Sequence, residues 1–189
     1  MPVKGGFHVL VSDELEPARY RTSVAHELCH TLFYSRDYDI PKRLLPPSEA
    51  EERFCFDVAR RVLAPRWMVE AFGLLKHPEA ETMFKTLTGT FKLSRPAAAR
   101  LMLADYRLVV GVAGRWSLVK GDWELKRGES FASPQLTAKE RKSLHSAARD
   151  WLGDRYRESI FRRVFGIMEA ENRSAFVMVQ AGLQKPAAA

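Results

Sequence analysis

The chain has 189 residues, 46% of them hydrophobic, 11% aromatic and 28% charged. That composition suits one domain of ordinary size, or one core with a small appendage, and argues against disorder. The net charge of +7 permits contact with nucleic acid or an acidic protein without requiring either, and no apolar run approaches the roughly 18 residues of a membrane-spanning helix.

In chain order, Met1 to Gly6 carry one lysine and no long apolar stretch, so no secretory signal is read and a cytoplasmic location is expected. Phe7 to Val11 is rich in strand formers and predicts a strand, one along which an extended peptide could lie. From Pro17 to Tyr34, Val24, Ala25, Leu28, Cys29, Leu32 and Phe33 recur at spacings of three and four, which predicts a helix. Residues 35–47 read as a proline-rich loop. Ser48 then precedes Glu51 by three residues, the pattern of a capping box, and opens a second helix with the apolar stripe Phe54, Cys55, Val58, Ala59, Val62 and Leu63. Pro65 ends it.

Further helices are expected over residues 66–75, 80–87 and, capped by Ser94, 95–105. Arg107 to Ala113, Gly114 and Arg115 to Lys120 read as a β-hairpin turning at Gly114. One or two helices are expected over 137–170, with the basic residues of the C-terminal third on solvated faces. A last strand is expected over 175–180. Cys29 and Cys55 are too few for a disulfide framework and read as buried free thiols, with a redox or ligand role as the sharper alternative.

The chemistry-bearing feature is His26-Glu27-Leu28-Cys29-His30. On a helix, positions i and i+4 share a face, so both imidazoles can reach one ion, zinc being the ion that such a pair most commonly holds. Glu27 is offset by one residue and suits the general base that deprotonates a water at the metal. At this composition the pattern arises by chance roughly 0.01 times per chain of this length, so accident is a weak rival. A hydrolytic site needs a third ligand and an open position. Glu49, Glu51 and Glu52 are the candidates. Glu51 has a capping role, whereas Glu52 lies at the border of the buried face, where an acid needs a partner. The register of Glu51 with Phe54, Val58 and Val62 keeps it in contention.

Arg21 to Leu32 resembles the active-site signature of the ImmA/IrrE family of metallopeptidases, and Glu52 to Pro65 resembles that family's second signature, in which an acid precedes an amphipathic helix ending at proline. A weaker likeness covers Phe91 to Leu101. The resemblance implies a zinc ligand at Glu52, beside His26 and His30, with Glu27 catalytic. It also implies an α+β, zincin-like core with a small mixed sheet, and an intracellular endopeptidase that cleaves a helix-turn-helix repressor. Cys29, Phe56 and Ala64 depart from residues common in the family. Tyr34, Tyr38 and His77 are candidates for a donor that steadies the transition state.

The expected organisation is a zinc-peptidase core over 1–75, a helical, helix-turn-helix-like extension over 76–106, and a hairpin with helices over 107–189. The rival reading is a zinc-stabilised regulatory module without turnover, a toxin–antitoxin partner or a DNA-associated protein. The sequence leaves the oligomeric state open.

Overall fold

The computed structural model describes residues 2–3, 6–12, 14–34, 47–76, 79–154, 162–169 and 173–181. The protein is α+β. It divides into two compact units, one of residues 1–77 and 85–98, the other of residues 78–84 and 99–189.

The first unit holds the helices α1 (Pro17–His30) and α2 (Glu49–Leu63). Pro17 suits the first turn of α1, where its missing N–H is unneeded, and a 3-10 turn over Thr31–Tyr34 continues α1. Ser48 caps α2 by accepting the Glu51 N–H at 3.2 Å. The two helices meet along a seam of small residues, Ala25 and Cys29 on one side and Cys55 and Ala59 on the other, all buried, with Phe33, Val58 and Leu63 packed around them. Both cysteines are free. Pro65 ends α2, and α3 (Arg66–Ala71) follows. The expected strand over 7–11 does not form. β1 (Pro2–Val3) and β2 (Gly6–Phe7) pair over two residues each, and residues 8–12 are irregular. Strand propensity there is not matched by a partner long enough to take up the backbone groups. The loop expected over 35–47 lies, except for Pro47, outside the described residues.

Two helices follow, α4 (Ala80–Gly89) and α5 (Arg95–Arg100), the latter widening into a π-helical stretch over Leu101–Asp105.

The second unit is built on a four-stranded antiparallel sheet of order β4-β3-β6-β5, from β3 (Gly111–Val119), β4 (Asp122–Ala132), β5 (Arg162–Glu169) and β6 (Ser174–Ala181). Helix α6 (Ala138–Leu152) covers one face, where Leu144, Ala147 and Ala148 join Val112, Trp116, Ala175, Val177 and Val179. On β6, Phe176 and Met178 alternate with those residues and are also buried, and Phe84 stacks on Phe176. β6 is therefore buried on both faces, which accounts for its unbroken apolar run, and the expected final strand is present.

Two expectations are corrected here. The hairpin does not turn at Gly114. It turns at Lys120 and Gly121, both at positive φ (50° and 86°), with Val119 paired to Asp122, the two-residue loop that matches strand twist. Gly114 lies inside β3 at a register shift, where a Cβ would stand 2.5 Å from Leu125 Cδ1, so the glycine marks a close approach rather than a turn. Residues 137–170 are not all helical either. α6 ends at Leu152, and residues 162–169 form β5. Gly166 of β5 lies under Trp151, whose ring a Cβ would meet at 2.8 Å. Tertiary pairing with β6 outweighs the helical spacing of the charges there.

α6 carries a complete capping box between Thr137 and Glu140, whose hydrogen bonds hold the Glu140 carboxyl below its ordinary pKa. Its His145 places Nε2 3.2 Å from Ser130 Oγ, and burial lowers the imidazole pKa. The folded unit thus keeps His145 neutral where the unfolded chain, titrating near about 6.5, takes a proton. The contribution is complete above that pH and is lost as pH falls through it. Denaturant midpoints at pH 7.5 and 5.5 should fall less in His145→Gln than in the unaltered chain. Equal falls in both would contradict this account.

Candidate metal centre

His26 and His30 lie on one face of α1 at i and i+4 spacing, each 6% exposed. Their Nε2 atoms converge to 3.1 Å. α2 supplies the facing groups from its first two turns. Glu52 brings Oε2 to 3.1 Å from His26 Nε2 and Oε1 to 3.4 Å from His30 Nε2. Glu51, also 6% exposed, turns the other way and places Oε1 2.8 Å from His30 Nδ1. The capping residue of the sequence pattern thus has a side-chain partner outside its own helix. Cys55, fully buried, places Sγ 3.4 Å from the same Nδ1. Phe56, one turn after Glu52, lays its ring against His26 with centroids 3.8 Å apart, and stays 42% exposed.

Glu27 is half-buried, and a carboxylate oxygen of it lies within 4.8 Å of ring nitrogens of both histidines. His26, Glu27 and His30 form a group that could hold a metal ion. The shorter distances from Glu52 to both Nε2 atoms make it the better-placed carboxylate of the two for the point where the imidazoles converge. Two nitrogens bound to one tetrahedral ion at about 2.0–2.1 Å stand about 3.3–3.4 Å apart, close to the separation of the Nε2 pair. His26 Nδ1 is buried and without a hydrogen-bond partner among the described residues.

The two imidazoles are buried beside a half-exposed carboxylate. Burial, then the neighbouring His30, lowers the His26 pKa against the opposing pull of Glu52 and Glu27, so its neutral, ligand-competent form is favoured. Burial raises Cys29, and burial together with the surrounding thiol and carboxylates pushes Cys55 up to about 12. Both shifts favour the protonated thiol, which is the poorer nucleophile.

Of the candidate donors, Tyr38, His77 and the side chain of Tyr34 lie outside the described residues. The sequence reading did not find the contacts of Glu51, Cys55 and Phe56 with the imidazoles. A signal for Phe56 was its i+4 position after Glu52. For Glu51, the register with Phe54, Val58 and Val62 kept it in contention, although Phe54 and Val62 are exposed, and the capping pattern gave it another task.

No protein-family model matches this chain, and no curated protein sequence matches it.

The convergence predicts stoichiometric binding of one divalent cation per chain, measured by elemental analysis after equilibration with zinc. His26→Ala and His30→Ala should each abolish it. Retention of the ion in both variants would place the metal elsewhere.

Proposed function

We propose that the protein is an intracellular zinc-dependent endopeptidase with a zincin-like catalytic core, related to the ImmA/IrrE metallopeptidases, and that its substrate is a regulatory protein of the helix-turn-helix repressor class. His26, His30 and Glu52 would hold the zinc. The observation that carries the reading is a division of labour on α1. Two imidazoles turn their Nε2 atoms to one point that Glu52 faces from α2, while Glu27, one residue off that row, keeps a carboxylate beside the point with no ion pair among the described residues.

The chemistry of the donor set supports hydrolysis over a structural role. Structural zinc sites are commonly closed by four Cys or His ligands. Here the only two cysteines are Cys29 and Cys55, and the Cys55 thiol lies at Nδ1 of His30, on the opposite side of the ring from the convergence. Three ligands leave a position open for water and substrate.

Zinc in such a site supplies a Lewis acid that makes water nucleophilic near neutral pH and draws charge from the scissile carbonyl. Glu27 accepts the proton of the attacking water as its oxygen adds to the carbonyl carbon. The same carboxyl then delivers that proton to the departing amine nitrogen as the C–N bond breaks, so Glu27 ends each cycle ionised. Glu52 would add negative charge that balances the cation, and the burial of both imidazoles strengthens their electrostatic interactions. The likeness of Arg21 to Leu32 and of Glu52 to Pro65 to the two family signatures supports the substrate class, and the net charge of +7 suits an acidic partner.

The decisive variant is Glu27→Gln, which keeps size and polarity but cannot take a proton. With zinc-loaded protein and a helix-turn-helix repressor or a fluorogenic peptide library as substrate, cleavage should fall by roughly 10²–10⁴-fold. Zinc content should stay unchanged. Cleavage that survives in Glu27→Gln would contradict the assignment of the base.

A further inference from the structure

The two imidazoles are not equivalent, and the difference lies on the side of each ring that faces away from the convergence. His30 Nδ1 is 2.8 Å from Glu51 Oε1, with both side chains buried. An ionised carboxylate only accepts hydrogen bonds. The hydrogen of neutral His30 therefore sits on Nδ1, which leaves the Nε2 lone pair facing Glu52 and His26. His26 lacks such a partner. Its Nδ1 has no partner among the described residues, while its Nε2 is 3.1 Å from Glu52 Oε2 and 3.1 Å from His30 Nε2.

We propose that Glu51 is a positioning residue that presets His30 as a metal ligand, holding its ring with Nε2 turned to the convergence. The proposal rests on the metal-site reading above but not on peptide hydrolysis. Glu51 acts through His30 and does not touch the ion. A carboxylate on the far nitrogen of a ligating imidazole fixes the ring's tautomer and rotation and raises its basicity. The helix end makes this arrangement rigid. Ser48 accepts the Glu51 N–H and so fixes the backbone from which the carboxylate projects. The adjacent residue, Glu52, departs from the helix about 100° further round, which puts the two consecutive acids on opposite nitrogens of one ring, at 2.8 Å from Nδ1 and 3.4 Å from Nε2. His26 packs against the Phe56 ring, with centroids 3.8 Å apart.

The test reads tautomers and metal affinity, not activity. The full chain, labelled with nitrogen-15 at histidine and stripped of metal, is examined by two-bond nitrogen–proton correlation at neutral pH. His30 should show the Nδ1–H form. Titration with zinc should leave the His30 tautomer unchanged. Glu51→Ala should release the His30 tautomer and weaken zinc binding by roughly 10–100-fold, with one zinc per chain still reached at saturation. Glu51→Gln, close in shape and still offering an amide oxygen to Nδ1, should restore the His30 tautomer and part of the affinity, which separates positioning from a folding defect.

The proposal is overturned by a Nε2–H form of His30 in the unaltered chain, or by unchanged affinity in Glu51→Ala. It is also overturned if Glu51→Gln loses stoichiometric zinc while Glu52→Gln keeps it, since Glu51 would then be a ligand. A wild type that binds no zinc overturns it together with the metal site. The expected tautomers and affinities, combined with no peptide cleavage by the wild type, would overturn the peptidase reading alone.

Discussion

The site depends on how closely α1 and α2 approach. Ala25 and Cys29 meet Cys55 and Ala59 with no large side chain between them. Small residues at i and i+4 on both helices let the backbones come near enough for short acids on α2 to reach imidazoles on α1. A larger residue at this seam would drive overpacking strain of about 1–3 kcal/mol into the helices. It would also lengthen the 2.8 to 3.4 Å contacts of Glu51 and Glu52, on which the orientation of both rings depends. Buried imidazoles and a buried carboxylate are tolerated because each polar edge, apart from His26 Nδ1, has a partner.

The consequence is a site assembled from two short stretches, 26–30 and 51–56, within one helix pair. Ser48 organises the second stretch from the helix end, and the proline at position 65 closes it. Among the described residues of this unit the sheet is reduced to two residues in each of two strands. The larger, four-stranded sheet belongs to the other unit and carries none of the converging groups. The proposed zincin-like character therefore rests on the helix pair.

The local signals were readable where one element decided them. The i, i+4 histidines, the Ser48 cap and the stop at Pro65 are set by helix geometry alone. The strand β6 was readable too, from its unbroken apolar run. What stayed hidden depends on a second element. Gly114 reads as a turn until Leu125 is seen against it, and Gly166 sits in a segment with helical charge spacing until Trp151 and β6 explain it. Glu51 is the same case within the site. Its capping position was visible, but its contact with His30 required α1 to be placed beside α2. β4 escaped notice because its edge position leaves Asp122, Glu124, Lys126 and Arg127 exposed along it.

The central claim is that the ion is zinc, held by two imidazoles and a carboxylate without sulfur. X-ray absorption at the zinc edge of the purified, zinc-loaded protein tests it most directly. The account predicts a first shell of nitrogen and oxygen at about 2.0–2.1 Å with the outer-shell scattering of two imidazoles. A zinc–sulfur distance of about 2.3 Å would bring Cys29 or Cys55 into the coordination sphere and contradict it.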